Sequence, residues 1–287
     1  MSMDTAAIIC LAGRSSRMGS YKSLMPFAGT TVISHLVSVF RSAGIEHIVL
    51  VTGRDASSVE QEMEGSDVHL VHNPDFESTD MFASVKIGLE AAQEQAGGFF
   101  ITPGDAVLFA PETVSAMMKE RKLTKKDVVV PTFANQKGHP VLISPSVRNS
   151  AMAYSGENGL RGVLAGFEDS TSLLEINDFG VLFDMDYPED YEQVKRLDEG
   201  RREGRFRETD IAMAKTALRA AVMLDEASIK VNRRAVITSA LFNQTERISS
   251  AEAIVWEKRL KNKGLSPHEL EQCLEQMTGG NIQNFIG

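Results

Sequence analysis

The residues best suited to chemistry lie near the amino terminus, in a glycine-containing loop that follows a short apolar segment. Residues 8–12 read Ile-Ile-Cys-Leu-Ala and lead into residues 13–19, Gly-Arg-Ser-Ser-Arg-Met-Gly. Glycine lets backbone N–H groups approach an anion closely, and Arg14, Arg17 and Lys22 add positive charge to the same loop. The pattern predicts a site for a phosphate chain, and the alternative is a surface turn after a buried strand.

The spacing within this loop separates it from two common phosphate-binding motifs. A P-loop needs four residues between its glycines and then Lys-Ser/Thr, and the dinucleotide fingerprint needs G-x-G-x-x-G. Five residues separate Gly13 from Gly19. The segment instead resembles the signature L-A-A-G-x-S-x-R-M-G-x-x-K of the MobA-like nucleotidyltransferases, which include molybdenum cofactor cytidylyltransferases and guanylyltransferases. Leu11 departs from this signature, because the family usually has a small alanine there.

Two acidic segments are candidates for holding a divalent cation. Asp105 follows an apolar run and a glycine, and a carboxylate at the carboxyl end of a strand can hold Mg²⁺ together with substrate phosphates. Asp184 and Asp186 lie two positions apart at the end of a strand predicted over residues 180–183, so both are expected on one side of it. Residues 184–190 are similar to the family segment D-x-D-T-P-E-D. The resemblance implies Mg²⁺ ligation by Asp105 and Asp186, with Asp184 in reserve.

Simpler interpretations of these acids remain open. Gly-Asp after a strand is often only a turn, and acids in residues 186–190 can serve the start of a helix through its dipole. Asp80 precedes a predicted helix where the family has glycine, and it could act as a helix N-cap.

The resemblance also implies roles for individual residues around a nucleotide and an acceptor. Arg17 and Lys22 would neutralise the departing pyrophosphate, next to the catalytic carboxylates of Asp105 and Asp186. His139, from a Gly-His-Pro match, would contact the acceptor together with Arg161, whose segment matches the family only loosely because Glu157 replaces aspartate. The implied nucleotide-binding residues are Leu11, Ala12, Gly13, Arg14, Ser15, Gly19 and Ser84.

The composition limits the class of protein. The chain has 287 residues, of which 43% are hydrophobic, enough to bury a sizeable core. A formal net charge of −9 argues against a non-specific nucleic-acid or acidic-membrane binder. Cys10 and Cys273 are far apart and offer no disulfide framework. Since no segment is typical of a signal peptide or a membrane span, we expect a cytoplasmic protein.

The order of the predicted elements indicates the fold class. Short β-rich runs alternate with helical patterns, which is typical of a parallel sheet covered by helices. We expect an α/β fold with a Rossmann-like, mostly parallel sheet and helices on both faces, plus a small C-terminal helical subdomain. The predicted strands cover residues 6–11, 47–52, 68–71, 98–102, 127–131, 172–176 and 180–183. The predicted helices cover residues 32–43, 56–63, 82–95, 111–121, 159–167 and 188–197, with a hairpin-like excursion over 133–144.

The second half of the chain is expected to hold an appendage. We predict a nucleotidyltransferase domain over residues 1–197, a charged linker over 198–208 and a helical subdomain over 209–287. The subdomain resembles the first helices of an HD phosphohydrolase domain, but Phe-Asn-Gln at 242–244 replaces the expected His-Asp pair. We therefore expect a degenerate, structural or dimerising bundle there, with further helices over 254–260 and 270–277.

The resemblance implies an enzyme that joins a nucleoside monophosphate to an acceptor and releases pyrophosphate. CTP is the favoured donor and GTP the next, and the acceptor would be a phosphorylated small molecule such as molybdopterin. A molybdoenzyme or its maturation factors are the implied protein partners. One alternative is a sugar-phosphate or polyol-phosphate nucleotidyltransferase. Another is a non-catalytic nucleotide-sensing or cofactor-maturation partner, which the departures from the family pattern motivate.

Overall fold

The chain divides into two units, Met1–Lys195 and Arg196–Gly287. The computed structural model describes residues 5–12, 21–54, 56–92, 96–226 and 232–242. The phosphate loop at 13–20, the helices predicted over 254–260 and 270–277, and Cys273 lie outside these residues. Within them, no helix is both long and apolar enough to cross a membrane.

The first unit contains all of the strands that the structure describes. They are β1 Thr5–Cys10, β2 Pro26–Phe27, β3 Thr30–Thr31, β4 His47–Thr52, β5 His69–His72, β6 Gly98–Pro103, β7 Val128–Phe133, β8 Gln136–Lys137, β9 Val141–Ile143 and β10 Thr171–Glu175. Its helices are α1 Val32–Ser42, α2 Ala56–Glu62, α3 Met81–Ala91, α4 Pro111–Thr124, α5 Pro145–Ala153 and α6 Gly159–Ala165. Helix α7, Pro188–Arg202, crosses the division between the units.

The main sheet is mostly parallel, which confirms the predicted fold class. Its strand order is β10-β7-β9-β6-β1-β4-β5, with β8 on β7. Strand β1 pairs in parallel with both β4 and β6, and among the described strands of this sheet only β8 and β9 run antiparallel to their neighbours, while β2 and β3 form a separate antiparallel pair. Strands β8 and β9 form the predicted excursion after β7. In the described part of the sheet six strands therefore run in one direction, namely β1, β4, β5, β6, β7 and β10, and β8 and β9 form the hairpin-like return.

Helices cover both faces of this sheet. On one face α3, α5 and α6 pack on apolar side chains of β1, β4, β6, β7 and β9. On the other face Phe40 of α1 lies 5.7 Å from Phe100 of β6 and 5.6 Å from Phe109, measured between ring centroids. Strands buried on both faces read as continuous apolar runs, which explains why the sequence located β1, β4 and β6 closely. Cys10 lies in this core as a free thiol, and burial raises its pKa to about 12.

The strand predicted over residues 180–183 is wrong, because Phe179–Leu182 forms a 3₁₀ turn. The Asp178 carboxylate accepts a hydrogen bond of 2.9 Å from the Gly180 N–H, which starts this turn. A Cβ on Gly180 would lie 2.1 Å from the Leu108 carbonyl oxygen, so the turn packs backbone against backbone. Asp184 and Asp186 consequently follow a turn and not a strand.

The charged segment after residue 197 also differs from its prediction as a linker. Helix α7 continues to Arg202, and an ion pair of 2.7 Å joins Asp198 to Arg202 one helical turn later. Charges of opposite sign at this spacing support a helix, which explains why a segment with few apolar residues is helical. Only residues 203–207 separate α7 from the next helix.

The second unit contains α8, Glu208–Glu226, and α9, Arg233–Leu241, in its described part. Apolar residues recur at helical spacing along α8, and Ala214, Leu218 and Ala221 among them are buried. After α9 the ring of Phe242 contacts the Phe206 ring at 5.1 Å and the Arg196 guanidinium at 4.2 Å. Phe242, in the place of the expected His-Asp pair, is half-buried and packs against these two side chains.

The Asp127 carboxylate joins three segments of the chain by hydrogen bonds, and it makes the free energy of unfolding depend on pH. The Asp127 carboxylate accepts hydrogen bonds of 2.7 Å from the hydroxyls of Ser144, Ser146 and Ser170. These bonds, with the nearby Arg121 guanidinium, hold the pKa of Asp127 below its usual range. Folding therefore favours the charged form of Asp127.

We expect Asp127→Asn to lower the free energy of unfolding by about 1–2 kcal/mol at pH 7, because an amide accepts these bonds less strongly than a carboxylate. The stabilisation is fully present above the unfolded pKa of about 3.9 and is lost as pH falls through the lower folded pKa. Urea unfolding followed by circular dichroism at pH 7 and at pH 3 measures this difference. An equal deficit at both pH values would contradict the prediction.

Candidate active site

The carboxyl ends of β1 and β6 lie side by side and bring two predicted segments to one edge of the sheet. In the parallel pair, Cys10 is opposite Pro103, and the Gly104 N–H donates to the Cys10 carbonyl at 2.9 Å. Residues 11 and 12 lead from β1 into the phosphate loop, while Asp105 comes directly after Gly104. Ligands bind beyond the carboxyl ends of strands in open sheets of this kind.

Close backbone packing fixes the first residues of this edge. A Cβ on Gly104 would lie 2.3 Å from Leu11 Cδ2, so the Leu11 side chain occupies the space beside the Gly-Asp turn. A Cβ on Gly53, at the end of β4, would lie 2.9 Å from the Ala12 Cα. Both glycines give room to the residues that enter the phosphate loop. The larger Leu11, which departs from the family signature, is accommodated against Gly104.

Lys22 joins the two predicted carboxylates. Its ammonium lies 3.1 Å from Asp105 Oδ2 and 3.3 Å from Asp186 Oδ1. The Lys22 side chain is 14% exposed and the Asp105 side chain 23%, whereas the Asp186 side chain is 49% exposed. Three residues separated by 83 and 164 positions in the chain thus converge on one point, partly screened from water.

The charges around this point do not balance. Burial raises the pKa of the Asp105 carboxyl, Lys22 opposes this rise, and the charges of Asp184 and Asp186 add to it. Asp184 lies between the buried side chains of Phe183 and Met185 and within electrostatic range of Asp105. One ammonium therefore faces three carboxylates. In the described part of the chain no three acidic, histidine or cysteine residues cluster as a complete metal site.

His139 belongs to the same edge of the sheet. Its backbone N–H donates to the Val181 carbonyl at 2.9 Å, and a Cβ on Gly138 would lie 2.3 Å from that same oxygen. Its Nδ1 atom is buried without a hydrogen-bond partner among the described residues. Burial lowers the pKa of His139, against the opposing charges of Asp105 and Asp184, so the ring is neutral near pH 7. A neutral imidazole has one N–H donor and one acceptor nitrogen, so it can donate a hydrogen bond to a ligand or accept one from it.

Two residues that the sequence did not assign to the site hold its parts in place. The Asp190 carboxylate accepts from the backbone N–H groups of Asp186 at 3.0 Å and Tyr187 at 2.9 Å, and it thereby caps α7. The Tyr191 hydroxyl donates to the carbonyl oxygen of Pro26 at 2.5 Å, and Pro26 lies four residues after Lys22 in the chain. The first contact fixes Asp186, and the second ties its helix to the segment that carries Lys22. The helix-start pattern of Pro188-Glu-Asp indicated the cap but not its effect on Asp186.

We expect Asp190→Ala to raise the divalent metal concentration needed for half-maximal turnover about three- to tenfold, because the Asp186 backbone loses its fixed position. The free energy of unfolding should fall by about 0.5–2 kcal/mol, as for other lost caps. Metal titrations of pyrophosphate release measure the first effect. Asp190→Asn, which retains an acceptor oxygen, should restore most of it, and Glu189→Ala, an exposed neighbour, should change neither quantity. An unchanged metal requirement in Asp190→Ala would show that the cap does not position Asp186.

The predicted residues of the α3 region form a separate group. Asp80 accepts from the Ala83 N–H at 3.1 Å and is the N-cap of α3, as its alternative interpretation proposed. Ser84 is buried, and its hydroxyl accepts from Asn73 Nδ2 at 3.0 Å. A Cβ on Gly159, at the start of α6, would lie 3.0 Å from the Phe82 Cβ, so the starts of α3 and α6 adjoin.

The remaining predicted residues are not joined to Lys22 by a described contact. Arg161 is exposed on α6, and no hydrogen bond or ion pair between described residues links it to the Lys22 ammonium or its two carboxylates. Gly13, Arg14, Ser15, Arg17 and Gly19 lie outside the described residues. The roles assigned to all of these residues stay predictions.

Comparison with known proteins identifies a matching family and similar proteins. The model of a family described as the MobA-like NTP transferase domain matches residues 7–172. The chain is 28% identical over 191 residues to the molybdenum cofactor cytidylyltransferase of Escherichia coli (strain K12), a match that covers 66% of this chain and 94% of that protein.

Solved structures agree with this match. The crystal structure of Rv0371c from Mycobacterium tuberculosis H37Rv superposes with a TM-score of 0.60 at 26% identity, over 69% of this chain and 100% of that chain. A structure of the same protein in complex with manganese gives a TM-score of 0.56 at 25% identity, over 68% of this chain and 100% of that chain. The likeness in all of these comparisons involves about two thirds of the chain.

Proposed function

The chain belongs to the MobA-like NTP transferase family and is a nucleotidyltransferase, and on this premise we propose that it transfers CMP from CTP to a phosphorylated acceptor of the molybdenum cofactor type. The observation that carries the proposal is the convergence of Lys22, Asp105 and Asp186 beyond the ends of β1 and β6. The choice of CMP and of the acceptor rests on the likeness to the cytidylyltransferase of Escherichia coli. GTP is the next candidate donor.

The carboxylate oxygens of the site are suitable ligands for a divalent cation. Asp105 and Asp186 present carboxylate oxygens to one cationic group, and Mg²⁺ prefers one or two carboxylates completed by waters and substrate phosphates. Asp105 and Asp186 would hold the ion, with Asp184 close enough to add its charge. A bound divalent ion supplies neutralisation of phosphate charge. The manganese complex of the mycobacterial neighbour supports a divalent metal in this fold, and Mg²⁺ is part of the proposal.

The chain's own residues would position the reactants and stabilise the departing charge. An oxygen of the acceptor phosphate forms a bond to the α-phosphorus in line, and the bond from that phosphorus to the bridging oxygen of pyrophosphate breaks. A phosphate monoester is largely dianionic above its second pKa of about 6, so the attack needs no general base. Lys22 and Arg17 would neutralise the pyrophosphate as it leaves, and His139 would offer its unpartnered nitrogen to the acceptor.

Two measurements in sequence test this function. Calorimetric titration of CTP, GTP, ATP and UTP, each with Mg²⁺ or Mn²⁺, identifies the donor, and release of pyrophosphate on addition of molybdenum cofactor identifies the acceptor. We expect CTP to bind most tightly and to release pyrophosphate only with the acceptor. Asp169→Asn, an exposed acid on the 3₁₀ turn before the amino end of β10, serves as the control for carboxylate variants. Turnover with a sugar phosphate and not with molybdenum cofactor would show that the proposed acceptor is wrong. Failure of every triphosphate to bind would overturn the proposal.

A further inference from the structure

The Lys22 ammonium stands where a cation bound by both Asp105 and Asp186 would have to stand. We propose that Lys22 is the resident cation of this carboxylate pair in the ligand-free protein, and that it leaves the pair when a nucleoside triphosphate binds, so that a divalent metal takes its place. This inference rests on the proposed function and deepens it, since it sets how nucleotide and metal binding depend on each other.

The distances make the two cations mutually exclusive. Lys22 Nζ contacts one oxygen of each carboxylate, at 3.1 and 3.3 Å, with two of its three N–H donors. A metal that coordinates the same two oxygens needs the same lone pairs and the same space between them. The ammonium must therefore withdraw before Asp105 Oδ2 and Asp186 Oδ1 can ligate one metal between them.

The charge of the site favours the exchange once an anion binds nearby. Among the described residues, the charges of Asp184 and Asp186 disfavour the charged form of Asp105, and the Lys22 ammonium is the cation that opposes them. A divalent ion compensates the negative charge of the carboxylates better, but it must displace the lysine. Triphosphate oxygens offer the ammonium new partners, and charge-assisted bonds of this kind are strong.

The local structure allows Lys22 to serve both partners. Lys22 begins the 3₁₀ turn Lys22–Leu24 and directly follows the predicted phosphate loop along the chain. Its four-carbon stem is flexible, so the ammonium can move without a change in the turn. A lysine in this position links the occupancy of the phosphate loop to that of the carboxylate pair.

The number of protein ligands points in the same direction. No described cluster of three acidic, histidine or cysteine residues forms a complete metal site, so waters and phosphate oxygens would complete the coordination. The triphosphate thus supplies ligands and also removes the competing lysine. By thermodynamic linkage, metal must then strengthen nucleotide binding by the same factor as nucleotide strengthens metal binding.

Removal of the lysine should separate these two contributions. In Lys22→Met without nucleotide, Mn²⁺ is expected to bind about tenfold or more tightly than in the wild type, because its competitor is gone. Addition of CTP should increase Mn²⁺ affinity by a larger factor in the wild type than in Lys22→Met. The free Mn²⁺ signal in electron paramagnetic resonance measures both affinities at pH 8, where carboxylates are ionised.

Two further variants control this experiment. Lys119→Met removes an exposed lysine of α4 and should leave both Mn²⁺ affinities at their wild-type values. Lys22→Gln removes the charge but keeps a polar side chain, and it should reproduce the gain in affinity if Lys22→Met folds poorly. Circular dichroism melts establish which variants are folded.

The outcomes separate this inference from the proposed function. If the folded Lys22 variants bind Mn²⁺ without nucleotide no more tightly than the wild type, the lysine exchange is wrong, while CTP binding by the wild type still supports the nucleotidyltransferase function proposed above. If the wild type binds no triphosphate with or without metal, the proposed donor site fails and the exchange fails with it.

Discussion

Replacement of Asp105 by asparagine is expected to lower kcat for pyrophosphate release about 10²–10³-fold, because the site loses the carboxylate charge that would hold the metal against the phosphates. The same change should leave the free energy of unfolding unchanged or raise it. Burial raises the pKa of Asp105, so its charged form is unfavourable in the folded protein, and a neutral amide of equal size relieves that cost. Stopped assays of pyrophosphate and thermal melts measure the two effects.

The opposite signs of these effects distinguish a functional carboxylate from a structural one. A structural acid would lose stability together with activity. Asp169→Asn, exposed and directly before the amino end of β10, should change neither quantity. Wild-type turnover in Asp105→Asn at saturating metal would remove Asp105 from the mechanism. A large loss of stability would instead show that the carboxylate serves the fold.

Lys22→Met is expected to lower kcat about 10²-fold even at saturating Mn²⁺, because the leaving pyrophosphate loses a positive charge placed beside it. The change therefore has two opposite results, since the metal should bind more tightly while turnover falls. Lys22→Arg should rescue turnover only partly, because the guanidinium is planar and larger than the ammonium. Single-turnover measurements with bound CTP isolate the chemical step from binding.

A comparison of metal-saturated rates decides what Lys22 does. Lys119→Met should keep the wild-type kcat, since its side chain is exposed on α4. If Lys22→Met also kept the wild-type kcat once the metal is saturating, Lys22 would act only as a competitor for the carboxylates and not on the reaction. A raised KM for CTP with unchanged kcat would show that the Lys22 contact is equally strong in the bound ground state and in the transition state.

Much of the fold could be predicted because its signals are local. Strands β1, β4 and β6 are buried on both faces and read as apolar runs, and the N-cap of α3 at Asp80 is a short-range pattern. Residues 180–183 read as a strand for the same reason, since Gly-Val-Leu-Phe is apolar. The decisive contacts there come from Asp178 and from the Leu108 carbonyl, which a local pattern does not include.

The candidate site likewise has features that the sequence predicts and features that depend on distant contacts. Its residue types follow from motifs in the chain, and the parallel order of strands places the segments after β1 and β6 at one edge. The sharing of one ammonium by Asp105 and Asp186, and the support of Asp186 by Asp190, depend on distances between segments far apart in sequence. Side-chain reach and backbone hydrogen bonds at such separations have no periodic signal.

The sequence by itself determined the class of this protein: the glycine-containing basic loop, the Gly-Asp turn and the acidic segment before α7 carry the family resemblance, and apolar periodicity carries the sheet and helices. Only the tertiary structure decided that Lys22 occupies the space between two carboxylates and that His139 Nδ1 is buried with no hydrogen-bond partner among the described residues. The physical reason is that motifs record which groups are present, whereas competition between cations depends on where the folded chain places their charges.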